Sequence, residues 1–136
     1  MARIIIIDDD PHISGLIAQA LLGAGYVVNV ANEGASGMEL CRSLPVDLLI
    51  TDLVMPGMEG METIRRFHKE FPLIPIIAIS GLLHLGNVLD TAKLLGAVKT
   101  LAKPFKVEEL LSIVKTLVPP FSQSQPSKVI SQWPTQ

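Results

Sequence analysis

The chain has 136 residues, 49% of them hydrophobic and 4% aromatic, with one cysteine and a formal net charge of −2. That is enough length for one domain with an aliphatic core, and without a Lys/Arg cluster it offers no footprint for nucleic acid or an anionic membrane surface. No apolar run approaches the roughly 18 residues that span a bilayer, the start lacks a signal-peptide pattern, and a lone Cys41 excludes an internal disulfide, so a cytoplasmic location is expected.

Five short apolar runs alternate with five amphipathic ones. Residues 4–7, all isoleucine, read as a central strand covered on both faces. Asp10 as N-cap and Pro11 at the first helical position open a helix that turns Ile13, Leu16, Ile17 and Leu21 inward and stops near Gly25. A strand over 26–30 leads to a second helix, from an Asn32 cap to about residue 43. Met38, Cys41 and Leu44 form its apolar stripe, which makes Cys41 a small core hydrophobe rather than a reactive thiol. Residues 46–50 are the third strand. The next helix buries Ile64, Phe67 and Phe71 and is stopped by Pro72. A strand over 74–79, a shorter helix over about 87–95 and a strand over 98–102 follow. The fifth helix buries Val107, Leu110, Leu111, Val114 and Leu117 before Pro119 and Pro120 end it. Residues 1–118 thus read as the domain, and 119–136, rich in Ser, Gln and Pro, as a flexible tail or the start of a linker. Phe121 and Trp133 in that tail read as incidental rather than as contacts for a partner. His12, His68 and His84 lack metal-site spacing and read as surface or satisfied residues.

Strict β–α alternation implies a parallel sheet with right-handed crossovers and helices on both faces, and in such sheets function gathers at the carboxyl ends of the strands. Asp8, Asp9 and Asp10 follow the first strand and Asp52 follows the third, so adjacency of these strands brings the carboxylates together. Asp10 is explained as a cap, but a cap does not explain three acids in a row. Clustered carboxylates repel unless a cation compensates, and an all-oxygen set with room for water and phosphate oxygens suits Mg²⁺. Ser80 follows the fourth strand with a hydroxyl, and Lys103 follows the fifth with an ammonium able to pair with a carboxylate or phosphoryl oxygen.

Over residues 3–118 the chain resembles the CheY-like receiver domains of two-component response regulators. The matching pieces are the apolar strand ending in Asp8-Asp9, then Thr51-Asp52-Leu53-Val54-Met55-Pro56 with Gly57 and Gly60, Ser80-Gly81, Leu95-Gly96-Ala97, and Lys103-Pro104-Phe105. The resemblance implies a flavodoxin-like (βα)5 doubly wound sheet, five parallel strands in the order 2-1-3-4-5. It implies Asp52 as phosphoacceptor, and Mg²⁺ (with Mn²⁺ able to substitute) held by Asp8, Asp9, Asp52 and the backbone carbonyl of Val54. Ser80 and Lys103 then bind the phosphoryl group and switch, and the Lys103–Pro104 bond is cis. The implied partners are a histidine kinase or histidine phosphotransfer protein and a downstream output partner or domain, with a phosphorylation-dependent homodimer as a further form. No nucleic-acid or membrane binding is implied, and the chain is a signalling switch rather than a turnover enzyme.

One position departs from the family pattern. Thr100 stands where many receivers carry an aromatic that turns inward on activation, so the expected coupling runs instead through Ser80, the 81–86 loop and the fourth helix. Two other readings compete. Asp8-x-Asp10 also fits a haloacid-dehalogenase-type phosphatase, which leaves Asp52 and Lys103 without roles. A pseudo-receiver that only binds a partner is opposed by the intact acidic set.

Overall fold

A computed structural model of the chain describes residues 1–53, 59–80, 92, 93 and 95–120. Among them are strands β1 (Arg3–Ile7), β2 (Val27–Ala31), β3 (Leu48–Asp52), β4 (Ile76–Ser80) and β5 (Lys99–Ala102). The helices are α1 (Pro11–Gly23), α2 (Gly34–Ser43), α3 (Glu59–Glu70) and α4 (Val107–Leu117). All strands are parallel, in the order β2-β1-β3-β4-β5, as the family resemblance implies. β1, β3 and β4 are the inner strands and are almost wholly buried, which explains why they read as unbroken apolar runs.

Alternation along the inner strands sorts the core into two layers. Ile4, Ile6, Leu48, Ile50, Ile77 and Ile79 face α1 and α4, while Ile5, Ile7, Leu49, Ile76 and Ala78 face α2 and α3. Phe67 of α3 is fully buried in the second layer, and its ring lies 5.0 Å from that of Phe71. Cys41 packs in the same layer, and burial pushes its thiol up to about 12, so it stays a protonated core side chain, as expected.

Helix boundaries follow local chemistry. The Asp10 side chain accepts the His12 N–H at 2.9 Å, with Pro11 at the first helical position. At the other end of α1, Gly25 takes φ +99°. The Gly25 N–H bonds back to Leu22 and the Tyr26 N–H to Leu21, the paired arrangement that closes a helix on a left-handed glycine. Gly96 (φ +136°) does the same after the expected fourth helix, with Gly96 bonded to Lys93 and Ala97 to Ala92. Ala92, Lys93 and Leu95 are helical, and the rest of the 87–95 segment lies outside the described residues.

Two expectations are corrected. Leu16 does not face the core. It is 51% exposed because the buried stripe of α1 runs through Ser14, Ile17 and Leu21, and Leu16 projects more than a quarter turn away from it. Nor does Asn32 cap α2. Glu33 is still extended (φ −153°, ψ 164°) and its carbonyl accepts the first helical bond from Gly37, so Glu33 takes the cap position without a side-chain bond. Strand ends also shift toward the carboxyl side. Asp52 and Ser80 are the last residues of β3 and β4 rather than their successors.

Candidate functional site

The carboxyl ends of β1, β3, β4 and β5 meet on one rim. Asp8 leaves β1, Asp52 closes β3 and Ser80 closes β4, and all three are buried (3%, 4% and 2% exposed), while Asp9 is exposed beside them. Each of Asp8, Asp9 and Asp52 offers a carboxylate oxygen within 4.8 Å of the others'. The register explains the convergence. Ile7 pairs with Thr51, Asp52 with Ile79, and Ser80 with Ala102, so each candidate residue lies within one position of the same line across the sheet.

Lys103 follows β5 and reaches back over this line. Its Nζ lies 3.1 Å from Asp52 Oδ2 and 3.8 Å from Asp8 Oδ2. Its backbone is anchored at the end of β4, because the Lys103 N–H donates to the Ser80 carbonyl at 2.7 Å; the following Lys103–Pro104 peptide is cis. One ammonium against three carboxylates leaves the cluster net negative. Burial is the main cause that pushes the Asp8 carboxyl up to about 6. The Asp52 and Asp9 charges add to this, and the Asp10 N–H and Lys103 oppose it. The sign for stability follows: the folded state holds this proton more tightly than the unfolded chain, so Asp8 weakens the metal-free fold as pH rises from about 4 through 6.

Sequence reading missed one contact, the Asp10 N–H donating to Asp8 Oδ1 at 2.9 Å. It orients the Asp8 carboxylate, and its signal was present in the spacing, since an Asp side chain readily accepts from the N–H two residues on. Asp10 itself stays out of the cluster, its carboxylate turned to the helix cap. Thr100 is half-buried in β5, in register with Ala78 and thus on the α3 side of the sheet. Val54, Met55, Pro56, Gly57 and the 81–86 loop lie outside the described residues, as does His84. A cleft of about 800 Å³ opens beside the cluster toward α2, past Asn32, Ser36 and Glu39, and leaves the rim accessible from that side.

Among the described residues no helix is long and apolar enough to cross a membrane. The family profile described as the response regulator receiver domain matches residues 4–115. The chain is 38% identical over 113 residues to the DNA-binding dual master transcriptional regulator RpaA of Synechocystis, covering 80% of this chain and 46% of that protein. It is 36% identical over 109 residues to the response regulator receiver protein CpdR of Brucella abortus, covering 80% of this chain and 90% of that one. Thus it spans less than half of the DNA-binding relative but nearly all of the other. Among solved structures, the response regulator TrrA of Thermotoga maritima, in complex with Mg²⁺-BeF, superposes with a TM-score of 0.78 at 30% identity, covering 87% of this chain and all of that one.

Proposed function

We propose, from the premise that this chain belongs to the receiver-domain family of two-component response regulators, that Asp52 accepts a phosphoryl group and that the domain signals by the resulting change of state. The observation that carries this reading is the buried Asp52 carboxylate held 3.1 Å from Lys103 Nζ in a cluster with Asp8 and Asp9. In the step, an Asp52 carboxylate oxygen attacks the donor phosphorus. The donor's P–N bond breaks, its electron pair stays on the leaving imidazole nitrogen, and an acyl phosphate remains. Lys103 offsets charge on the incoming phosphoryl oxygens, and the Ser80 hydroxyl donates to one of them, so positioning and electrostatics do most of the work.

The donor set fits a hard divalent cation, being oxygen-only and net negative. Asp8, Asp9, Asp52 and the Val54 carbonyl would hold Mg²⁺, or Mn²⁺ in its place, and its charge would let an anionic donor approach an anionic acceptor. The phosphodonor is a histidine kinase or histidine phosphotransfer protein in the cytoplasm. An output partner or appended domain receives the signal, and phosphorylation-dependent pairing of two copies is a further form. The chain works as a switch rather than as a turnover enzyme. With Thr100 in place of an aromatic, the change of state runs through Ser80 and the segment after it.

Intact mass tests the reading. Incubation with phosphoramidate and Mg²⁺ adds one hydroxylamine-labile phosphoryl group, and chelating the metal prevents it. A mass that stays unchanged under every condition overturns it.

Metal binding gives a second expected result. Mg²⁺ raises the melting temperature of the parent protein by mass action, and Asp9→Ala loses that shift while staying folded, because Asp9 is exposed. Protons compete for Asp8, so the shift is larger at about pH 7.5 than at about pH 5. Equal responses of parent and variant place the ion elsewhere.

A further inference from the structure

Helix α1 carries no Asp, Glu, Lys or Arg anywhere in Pro11–Gly23. A helix without a charged face is ordinarily covered on all sides. Here Gly15, Leu16, Gln19, Leu22 and Gly23 are exposed, Leu16 and Leu22 by 51% and 56%. Leucines this open on an uncharged helix mark a contact surface.

The layout of that surface is self-complementary. At about 3.6 residues per turn, Gly15 and Leu22 fall about 40° and 60° to one side of Gln19. Gly23 and Leu16 fall equally far to the other side. The stripe is thus symmetric about Gln19, and burial follows the same symmetry, since Ile17 and Leu21 on either side of Gln19 both face the core. A side chain begun at Gly15 or Gly23 would meet nothing within 4 Å, so each glycine leaves an open place on the helix surface. Turning the helix end for end about a two-fold axis at Gln19 brings Leu16 opposite Gly23 and Leu22 opposite Gly15. A two-fold contact requires a patch that matches itself in this way.

We propose that α1 is a contact surface between two copies of this chain, packed antiparallel with Gln19 against Gln19 on the two-fold axis. Each copy lays Leu16 and Leu22 into the places that the other leaves at Gly23 and Gly15. The Gln19 amides, each both donor and acceptor, hydrogen-bond across the axis. Neither stripe holds a charge, so the contact forms without stripping water from an ion. The stripe is far smaller than the roughly 800 Å² per partner of a lasting complex, so pairing is weak, with a dissociation constant on the order of 0.1–1 mM. It needs neither a phosphoryl group nor a metal ion, and so stands apart from the phosphorylation reading.

Sedimentation of the full, unphosphorylated chain in metal-free buffer tests it. The average mass climbs from monomer toward dimer as concentration rises from about 0.01 to 1 mM. Gly15→Leu fills the place of the other copy's Leu22 and abolishes the climb, while the melting temperature holds because that place is open in the single chain. Gln19→Glu and Gln19→Lys are each monomeric, since like charges meet at the axis, and an equimolar mixture of the two pairs again. A parent chain that stays monomeric throughout overturns the proposal and leaves the face to a different protein. Pairing that survives Gly15→Leu overturns it by placing the contact elsewhere, and so does a mixture of the two Gln19 variants that stays monomeric.

Discussion

Asp52→Asn, incubated with phosphoramidate and Mg²⁺, takes up no phosphoryl group where the parent chain takes up one. The loss is expected to be complete rather than graded, because an amide in the same volume lacks the anionic oxygen that attacks phosphorus. Asp8 is the rival nucleophile, and its geometry argues against that role. Its Oδ1 is held by the Asp10 N–H, while its Oδ2 lies 3.8 Å from Lys103, against 3.1 Å for Asp52. Asp8 also keeps its proton to about pH 6, which lowers its carboxylate population in mildly acidic solution. Asn is close to Asp in shape, and Lys103 keeps Asp8 as a charged neighbour at 3.8 Å, so the variant stays folded, which a melting curve checks. Loss of labelling in a folded protein therefore reports chemistry. Equal labelling of the variant moves the nucleophile to Asp8 and revives the phosphatase reading.

Phe67→Ala is the substitution with the largest expected effect on the fold. Phe67 is fully buried in the layer between the sheet and α3, with its ring in tilted contact with Phe71, so truncation removes a large apolar side chain and leaves a cavity. Costs of this kind are about 3–5 kcal/mol, a large share of the roughly 5–15 kcal/mol that holds a domain folded. The expected fall in melting temperature is on the order of 10–20 °C. Leu73→Ala is the control: Leu73 is 95% exposed, and the change moves the melting point little. Similar shifts for the two variants contradict the packing described for α3.

The sequence alone determined the features that depend on neighbouring residues. The isoleucine run of β1 announced an inner strand, because a strand covered on both faces admits no polar alternation. Asp10 with Pro11, Gly25 and Pro72 marked helix ends through backbone conformation, which a single residue sets. The acidic residues and Lys103 were legible at strand ends, and together they carried the family resemblance that the profile over residues 4–115 bears out.

Tertiary structure decided what depends on distant partners. Strand pairing carried β3 on through Asp52 and β4 on through Ser80, since Asp52 finds Ile79 and Ser80 finds Ala102 across the sheet. It started β3 at Leu48, after Asp47 exchanged hydrogen bonds with Arg3. Leu16 read as core by composition yet faces out, because α1 has one side against the sheet and the sheet fixes which residues that side holds. The choice between Asp52 and Asp8 as the nearer neighbour of Lys103 was likewise invisible in the chain. It arises only when strand ends that are distant in sequence are brought to one rim, where Lys103 Nζ lies 3.1 Å from Asp52 and 3.8 Å from Asp8.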